Sequence, residues 1–371
     1  MPINKKIIFD ARHISNEFSG LGRYSMHLLE GLFEHSKQLT SLVIFVESSI
    51  RPTNSLYQRL NQLVRGCNIA VVVPITNKVF SIQHYFNMRG QLKNYPEHEY
   101  FYPHFDVPFG IKNHTQFVIH DLFPLIIKGY IVKNVLLKKT IFYLLCLHSL
   151  TSKGKQCVAI SHSTRSDIKR YFPLVSEYRV RTVHSSGCLF YDKEQLVPEG
   201  IDGSYIFYIG DRRPHKNLKK MIDIFCLLKV KYHYRGRFII AGSTKNFDVD
   251  IDSYVADKPD VELVGLISDE QLLSYYRGMD SLFFLSKYEG FGLPVLEAAT
   301  LNKKIITSNI SSLPEVTPDS GLLLDPNADL ELLSQKVSEY LNSKKEICNE
   351  SFVSAFSWHR TALNIFIDKM V

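Results

Sequence analysis

The sequence predicts an α/β protein built from two doubly wound parallel-sheet domains. Short apolar runs of strand length alternate with helix-period runs along the chain, which is the pattern of parallel sheets covered by helices. The 371 residues exceed what one ordinary core holds. A polar segment with proline and glycine, DKEQLVPEGIDG (residues 192–203), is typical of an interdomain linker. We therefore expect a first domain over residues 1–195, a second over 196–355, and a final helix over 356–371.

Composition and end segments predict a cytoplasmic globular protein. The chain is 45% hydrophobic and 22% charged. Its longest apolar candidate, IFYLLCLHSL (Ile141–Leu150), is about half the length of a membrane-spanning helix. The amino terminus lacks the apolar core of a signal peptide, and the six cysteines contain no C-x-x-C pair. We expect neither a disulfide framework nor a zinc site.

Charge is divided unevenly along the chain. The formal net charge is +7, and residues 1–190 hold 23 Lys and Arg against 11 Asp and Glu, so the first half is the basic one. A basic surface suits nucleic acid, anionic lipid or a phosphorylated acceptor. Because no nucleic-acid motif accompanies the charge, we favour the last two partners.

The first half reads as alternating strands and helices that begin with KKIIFDA (Lys5–Ala11). Gly20 and Gly22 precede a helix-period run and are predicted to occupy a β-to-α turn, with a ligand-binding loop and a plain tight turn equally open. His120 ends the strand TQFVIHD, at the edge where open α/β sheets bind ligands. His104 ends another strand, and a core role is favoured for it.

Residues 128–155 combine lysines with a long apolar stretch. The segment fits either an ordinary core helix, which is favoured, or an interfacial helix on anionic headgroups.

In the second half, the strand SYIFYIG is followed by the cationic loop DRRPHKN. Cations at the carboxyl end of a strand suit a diphosphate, since they neutralise a leaving pyrophosphate. Lys216 is one candidate, and either Arg212 or Arg213 is another.

The stretch SKYEGFGLPVLE (Ser286–Glu297) carries the most specific signal. It follows the apolar run MDSLFFLS, and Pro294 stands where proline fits the first turn of a helix. A glycine-bearing turn before a helix points N–H groups at one spot, which suits phosphates. Glu289 and Glu297 can each hold the vicinal hydroxyls of a sugar, although both would also favour a helix N-terminus electrostatically.

The complete string closely resembles the paired-glutamate motif of the retaining glycosyltransferases of the GT-B fold, family 4 (glycosyl transferases group 1). The H-D-x-x-P grouping at His120 and the spacing of Lys216 also resemble that family, whereas Asp211 takes the place of its usual arginine. The resemblance implies two Rossmann-like domains facing a cleft, with the acceptor held by the first and the donor by the second.

The resemblance also implies roles for individual residues. The donor sugar would contact His120 and Glu289, the ribose Glu297, and the diphosphate Lys216 with an arginine. The implied nucleotide-binding set is Gly20, Gly22, Arg212, Arg213, Lys216, Val264, Leu266, Glu289, Gly290, Phe291, Gly292, Leu293 and Glu297. No metal or other cofactor is implied, and the acids of DVDID (Asp248–Asp252) are interpreted as solvated rather than metal-binding.

The implied function is transfer of a hexosyl group from a sugar nucleotide to a saccharide with retention of configuration. The chain looks most like bacterial mannosyl- and hexosyltransferases of O-antigen or capsule synthesis, which favours GDP-mannose as donor and a lipid-linked saccharide as acceptor. UDP-glucose, UDP-N-acetylglucosamine and dTDP-rhamnose stay open. The alternatives are another GT-B activity, such as an epimerase or a sucrose-synthase-like enzyme, and a non-catalytic binding protein.

Overall fold

The computed structural model describes residues 5–17, 19–128, 131, 133–187, 203–242, 250–344 and 347–367. The chain forms two compact units. The first comprises Met1–Leu125, Lys133–Ser185 and Phe356–Val371, and the second comprises Ile126–Val132 and Ser186–Ala355.

The predicted domain boundary falls between residues 195 and 196, and that interval lies outside the described residues. Ile126–Val132, predicted to lie in the first domain, group with the second unit. The predicted final segment and the last stretch of the first unit both begin at Phe356.

The first unit is organised around a seven-stranded parallel sheet in the order β3-β2-β1-β4-β5-β6-β7. Its strands are β1 (Lys5–Asp10), β2 (Leu39–Glu47), β3 (Ala70–Ile75), β4 (Glu99–Tyr102), β5 (Thr115–Ile119), β6 (Lys155–Ala159) and β7 (Val180–Thr182). The helices of this part of the chain are α1 (Gly20–Glu34), α2 (Ser55–Val64), α3 (Ile82–Leu92), α4 (Phe123–Ile126), α5 (Val135–Thr151) and α6 (His162–Tyr171). The order reverses direction beside β1, as in a doubly wound sheet.

The second unit is organised around a six-stranded parallel sheet in the order β10-β9-β8-β11-β12-β13. Its strands are β8 (Tyr205–Gly210), β9 (Arg237–Gly242), β10 (Val261–Gly265), β11 (Ser281–Phe284), β12 (Lys304–Ser308) and β13 (Leu322–Leu324). Its helices are α7 (Leu218–Tyr232), α8 (Ile251–Val255), α9 (Asp269–Gly278), α10 (Leu293–Thr300), α11 (Leu330–Asn342) and α12 (Glu350–Val353). Apolar side chains of the central strands are almost fully buried, which explains their unbroken hydrophobic runs.

The carboxyl-terminal segment belongs to the first unit. It forms α13 (Trp358–Ala362) and a short π-helical turn (Leu363–Ile367). The Trp358 ring contacts the Tyr24 ring of α1 at 5.3 Å. Arg181 donates to the carbonyls of Asn364 at 2.6 Å and Ile365 at 2.8 Å, so β7 and the terminal turn are tied by a single guanidinium.

No helix in the described part of the chain is long and apolar enough to cross a bilayer.

Candidate functional site

The loop between β11 and α10 carries the most specific sequence motif and is firmly anchored. Backbone N–H of Lys287 donates to the carbonyl of His215 at 2.7 Å, which ties this loop to the one after β8. The Ser312 hydroxyl donates to the carbonyls of Glu289 at 3.0 Å and Phe291 at 2.8 Å. These bonds hold the loop at the carboxyl ends of the two neighbouring strands, where parallel sheets present ligand sites.

Gly292 caps α10, and its conformation explains why glycine stands there. Its φ is 106°, a left-handed backbone that other residues rarely adopt, and an added Cβ would lie 2.8 Å from Leu313 Cδ2. Pro294 follows in the first turn of α10, as predicted. The glycine therefore allows a sharp strand-to-helix connection that brings the helix N-terminus to the loop.

Lys216 and Glu289 form the electrostatic centre of this edge. The ammonium of Lys216 lies 2.7 Å from Oε1 and 3.0 Å from Oε2 of Glu289. Glu289 is 7% exposed. Two of the three ammonium donors reach the carboxylate, so the third can donate to a phosphate oxygen. The sequence predicted both residues and did not reveal that they pair.

Glu297 is buried and is the fifth residue of α10, past the first turn in which we predicted it. The Tyr276 hydroxyl of α9 donates to its Oε2 at 2.7 Å. Sequence reasoning missed Tyr276, because nothing in the spacing between α9 and α10 signals the contact.

The two arginines after β8 differ in environment. Arg212 is 6% exposed and donates from Nη1 to Asp252 Oδ2 at 2.7 Å. Arg213 keeps 35% of its side chain exposed, and its Nε lies 3.3 Å from Asp211 Oδ2. Asp252 pairs with this buried guanidinium while 57% of its own side chain stays exposed, so it is a solvated acid, as interpreted; Asp248 lies outside the described residues.

The other predicted members of the second unit fall into two groups. Gly290 and Phe291 are buried in the loop, and Leu293 begins α10 half-buried. Val264 is half-buried on the edge strand β10, and Leu266, directly after it, is 74% exposed.

In the first unit, the prediction that Gly20 and Gly22 lie in a turn is wrong. They are the first and third residues of α1, because the Ser19 hydroxyl caps the helix by accepting from Gly22 N–H at 2.9 Å. A Cβ added to Gly22 would lie 2.6 Å from the carbonyl oxygen of Asn16. A Cβ added to Gly20 would have no atom within 4 Å.

His120 follows β5 and is held by its neighbours. Its Nε2 lies 2.8 Å from the carbonyl of Pro103 and therefore donates to it, and its ring meets that of Tyr24 edge-on at 4.7 Å. Burial lowers the pKa of His120 to about 4. The imidazole is thus uncharged at neutral pH.

Comparison with known proteins gives this site its family. Residues 193–351 match the family described as Glycosyl transferases group 1. The chain is a glycosyltransferase whose second half matches group 1. The matched range contains Lys216, Glu289 and Glu297, so the family assignment rests on the unit that carries the paired charges.

A curated relative and two solved structures span nearly the whole glycosyltransferase. This chain is 26% identical to the O-antigen chain mannosyltransferase B of Escherichia coli, over 95% of this chain and 96% of the relative. Sucrose-phosphate synthase from Thermosynechococcus elongatus superposes with a TM-score of 0.65 at 16% identity, covering 98% of this chain and 97% of that one. Anabaena HepE in complex with UDP-glucose gives a TM-score of 0.62 at 13% identity, covering 97% and 98%. At these identities the structures show the fold alone, and that fold is GT-B, with two Rossmann-like domains.

Proposed function

We propose that this glycosyltransferase transfers a mannosyl group from GDP-mannose to a saccharide acceptor during synthesis of a surface polysaccharide. The observation that carries the proposal is the Lys216–Glu289 pair at the carboxyl edge of the second sheet, beside the N-terminus of α10. The name of the relative from Escherichia coli supports mannose as the sugar and O-antigen as the product class.

The paired charges fit the two ends of a sugar diphosphate. The Lys216 ammonium and the N–H groups at the start of α10 stabilise the diphosphate, while the Glu289 carboxylate accepts from hydroxyls of the transferred sugar. Positive charge is then supplied by the protein, and we propose that no metal or other cofactor is required. Full activity in the presence of EDTA is expected, and restoration by Mg²⁺ or Mn²⁺ after EDTA treatment would contradict this.

We further propose retention of configuration by front-face attack. The bond between C1 and the diphosphate oxygen breaks with its electron pair on the phosphate, and the acceptor oxygen bonds to C1 on the same face. The acceptor proton passes to the leaving phosphate oxygen. Detection of a covalent sugar–enzyme adduct would contradict this route.

A lipid-linked acceptor and peripheral contact with anionic membrane are part of the proposal. Leu137, Ile141 and Leu144 share one face of α5 and are 60%, 48% and 55% exposed. Exposed Lys133 and Lys138 flank this face and complement anionic headgroups. Membrane contact would place the enzyme at the cytoplasmic face of the inner membrane.

Vesicle flotation tests the membrane contact. Leu137→Ser with Ile141→Ser should lower binding to vesicles that contain anionic lipid, and Lys133→Gln with Lys138→Gln should lower it with a weaker salt dependence. Leu174→Ser is the matched control, because Leu174 is 98% exposed elsewhere in the first unit. Unchanged flotation of both double variants would remove the membrane proposal.

Thermal stabilisation by a panel of sugar nucleotides tests the donor. A specific donor at a hundredfold its Kd adds about 2.7 kcal/mol of stability, a Tm shift of several degrees. GDP-mannose should stabilise the parent more than GDP does, and Glu289→Ala should erase that excess while Glu262→Ala, on the edge strand β10, keeps it.

Product analysis with and without a glycan acceptor then separates transfer from the other GT-B activities. An epimerised sugar nucleotide, or a disaccharide formed from free sugar, contradicts the proposed function.

A further inference from the structure

The carboxyl end of β4 carries a histidine–aspartate pair that the donor site does not use. His104 and Asp106 follow β4, which pairs with β1 on one side and β5 on the other. His120 follows β5 and donates to the carbonyl of Pro103 at 2.8 Å. His104 is therefore one strand away from the histidine predicted to face the donor sugar.

Asp106 is a buried carboxylate whose oxygens are occupied by donors. It accepts from the hydroxyls of Tyr102 at 3.1 Å and Tyr85 at 3.0 Å, and from Nδ1 of His104. Burial opposes ionisation of Asp106, but the neighbouring His104 and its hydrogen bond outweigh burial and lower the pKa of the carboxyl. An ionised carboxylate accepts only, so Nδ1 of His104 carries a proton and donates it to Asp106.

Nε2 is the nitrogen of His104 that faces away from the bond to Asp106. Within the described ranges no group hydrogen-bonds to it, and 17% of the His104 side chain is accessible. An imidazole held by a buried carboxylate presents its second nitrogen in a fixed orientation for a further hydrogen bond.

Phe80 lies beside His104 and presents an exposed aromatic ring. Its side chain is 56% exposed, and its ring meets that of His104 edge-on at 5.1 Å. Its φ is 62°, an outlier for a bulky residue, and strain of this kind concentrates at functional sites.

His13 supplies a second, independent sign of a ligand. Its ring lies 5.6 Å from those of both Phe80 and His104, and it is 5% exposed. Its Nε2 is buried without a hydrogen-bond partner among the residues described. A buried polar atom left unpaired costs free energy unless something satisfies it.

Arg12, a cation close to His13, is already hydrogen-bonded within the protein. Arg12 donates to both oxygens of Asp10, at 2.8 and 2.6 Å, and to the carbonyl of Asn77 at 2.6 Å. Arg12 is also fully buried, so its guanidinium is not accessible to an anionic ligand, whereas the imidazoles and an aromatic face suit an uncharged polyol.

We propose that Phe80 and the Asp106-held His104 form the acceptor subsite, which takes the terminal neutral hexopyranose of the glycan. A sugar hydroxyl hydrogen-bonds to Nε2 of His104, and the C–H face of the ring lies on Phe80. This deepens the proposed function and rests on it. Asp106 is a positioning residue, which acts by fixing the orientation of the His104 ring.

Octyl α-mannopyranoside serves as the acceptor probe, with binding measured by saturation-transfer NMR without donor and the acceptor KM measured with GDP-mannose. His104→Ala and Phe80→Gly should each weaken binding and raise the acceptor KM about tenfold or more. Phe80→Gly also suits the left-handed backbone, so this variant keeps its fold. His104→Gln should restore part of the binding, because its amide can hydrogen-bond to a hydroxyl.

His98→Ala is the matched control, since His98 stands before the opposite end of β4 and contacts Ser41. Hydrolysis of GDP-mannose in water tests the proposed function separately, and its rate should stay within twofold of the parent in both subsite variants. Lost glycoside binding with intact hydrolysis supports the subsite. Parent-like glycoside binding in both variants, or no binding by the parent, overturns it whatever the hydrolysis rate.

Discussion

The carboxyl-terminal edges of the two sheets differ in how their polar groups carry charge. In the first unit, His120 and His13 have pKa values lowered by burial to about 4 and about 3, so both imidazoles are neutral. In the second unit, Lys216 faces Glu289 and Arg212 faces Asp252 as ion pairs. Apart from the buried Arg12–Asp10 pair and the Asp106 carboxylate, the first edge offers these neutral imidazoles, whereas the polar groups of the second edge are charges already balanced by countercharges.

This difference indicates a division of ligands between the units. A diphosphate needs cations, and a cation held by a carboxylate can turn to a phosphate without first being stripped of water. A neutral sugar needs acceptors and an apolar face, which imidazoles and phenyl rings supply at no cost of charge burial. The predictions below test that division, from the largest expected effect to the smallest.

Lys216→Ala should lower kcat roughly 10²- to 10³-fold, because a donor aimed at the leaving phosphate is lost. It should also cost about 3 kcal/mol of stability, since Glu289 then lies buried without its partner. Combining it with Glu289→Gln should recover stability in urea denaturation and leave kcat low.

Lys219→Ala, on the same side of the second unit, is the control, because Lys219 is 51% exposed and pairs with Asp223. A comparable loss of kcat in this variant would mean that general positive charge, rather than the paired lysine, binds the donor.

Gly292→Ala should destabilise the second unit by about 2 kcal/mol, because its φ of 106° and the nearby Leu313 methyl oppose a side chain. Gly20→Ala should leave stability unchanged or raise it by about 0.5 kcal/mol, since no atom lies within 4 Å of the added Cβ. Urea denaturation of both variants makes the comparison, and equal losses would contradict it.

Replacement of Arg212 and of Arg213 should have different effects, one on stability and the other on donor binding. Arg213→Ala should raise the KM for the donor about tenfold with little change in stability, because this side chain is 35% exposed. Arg212→Ala should instead lower the free energy of unfolding by about 2 kcal/mol, since the packing of its almost fully buried side chain is lost. A larger donor effect for Arg212→Ala would reverse the assignment.

The neutral imidazoles should make the first unit acid-sensitive. As pH falls below 6.5, the unfolded chain protonates His120 while the folded chain, with a pKa of about 4, does not. Stability therefore falls from pH 6.5 to about 4, by up to ~1.4 kcal/mol per pH unit for one histidine.

His120→Asn should flatten that slope, and His114→Asn, whose imidazole is exposed, should keep it. Denaturation midpoints across this pH range are the measurement, and identical slopes for parent and His120→Asn would show that the histidine titrates normally.

The fold and the candidate donor-binding residues can be predicted from local sequence, whereas the side chains that pair with those residues cannot. Apolar runs such as SYIFYIG predict buried strands because parallel strands are hydrophobic on both faces. The Arg212–Asp252 contact joins residues 40 positions apart, and the pair Lys216–Glu289 joins residues 73 apart. Such contacts depend on the order of strands in the sheet, which spacing along the chain does not encode.

The error over two glycines has a similar origin. Gly20 and Gly22 were predicted to lie in a turn because glycine usually interrupts a helix, but the Ser19 cap and the tight approach of Asn16 favour a helix that begins with them. The contacts of His104 with Phe80 and Asp106 likewise give no recognisable motif in the sequence.

The terminal segment has a consequence for how the chain is made. Arg181 is anchored by carbonyls of Asn364 and Ile365, and Trp358 packs on Tyr24 of the first helix. The first unit is therefore completed by residues that the ribosome adds only after the second unit has been synthesised. Its early strands must stay unaggregated until then, and a chain cut short before Trp358 would lose these contacts and destabilise the half that was made first.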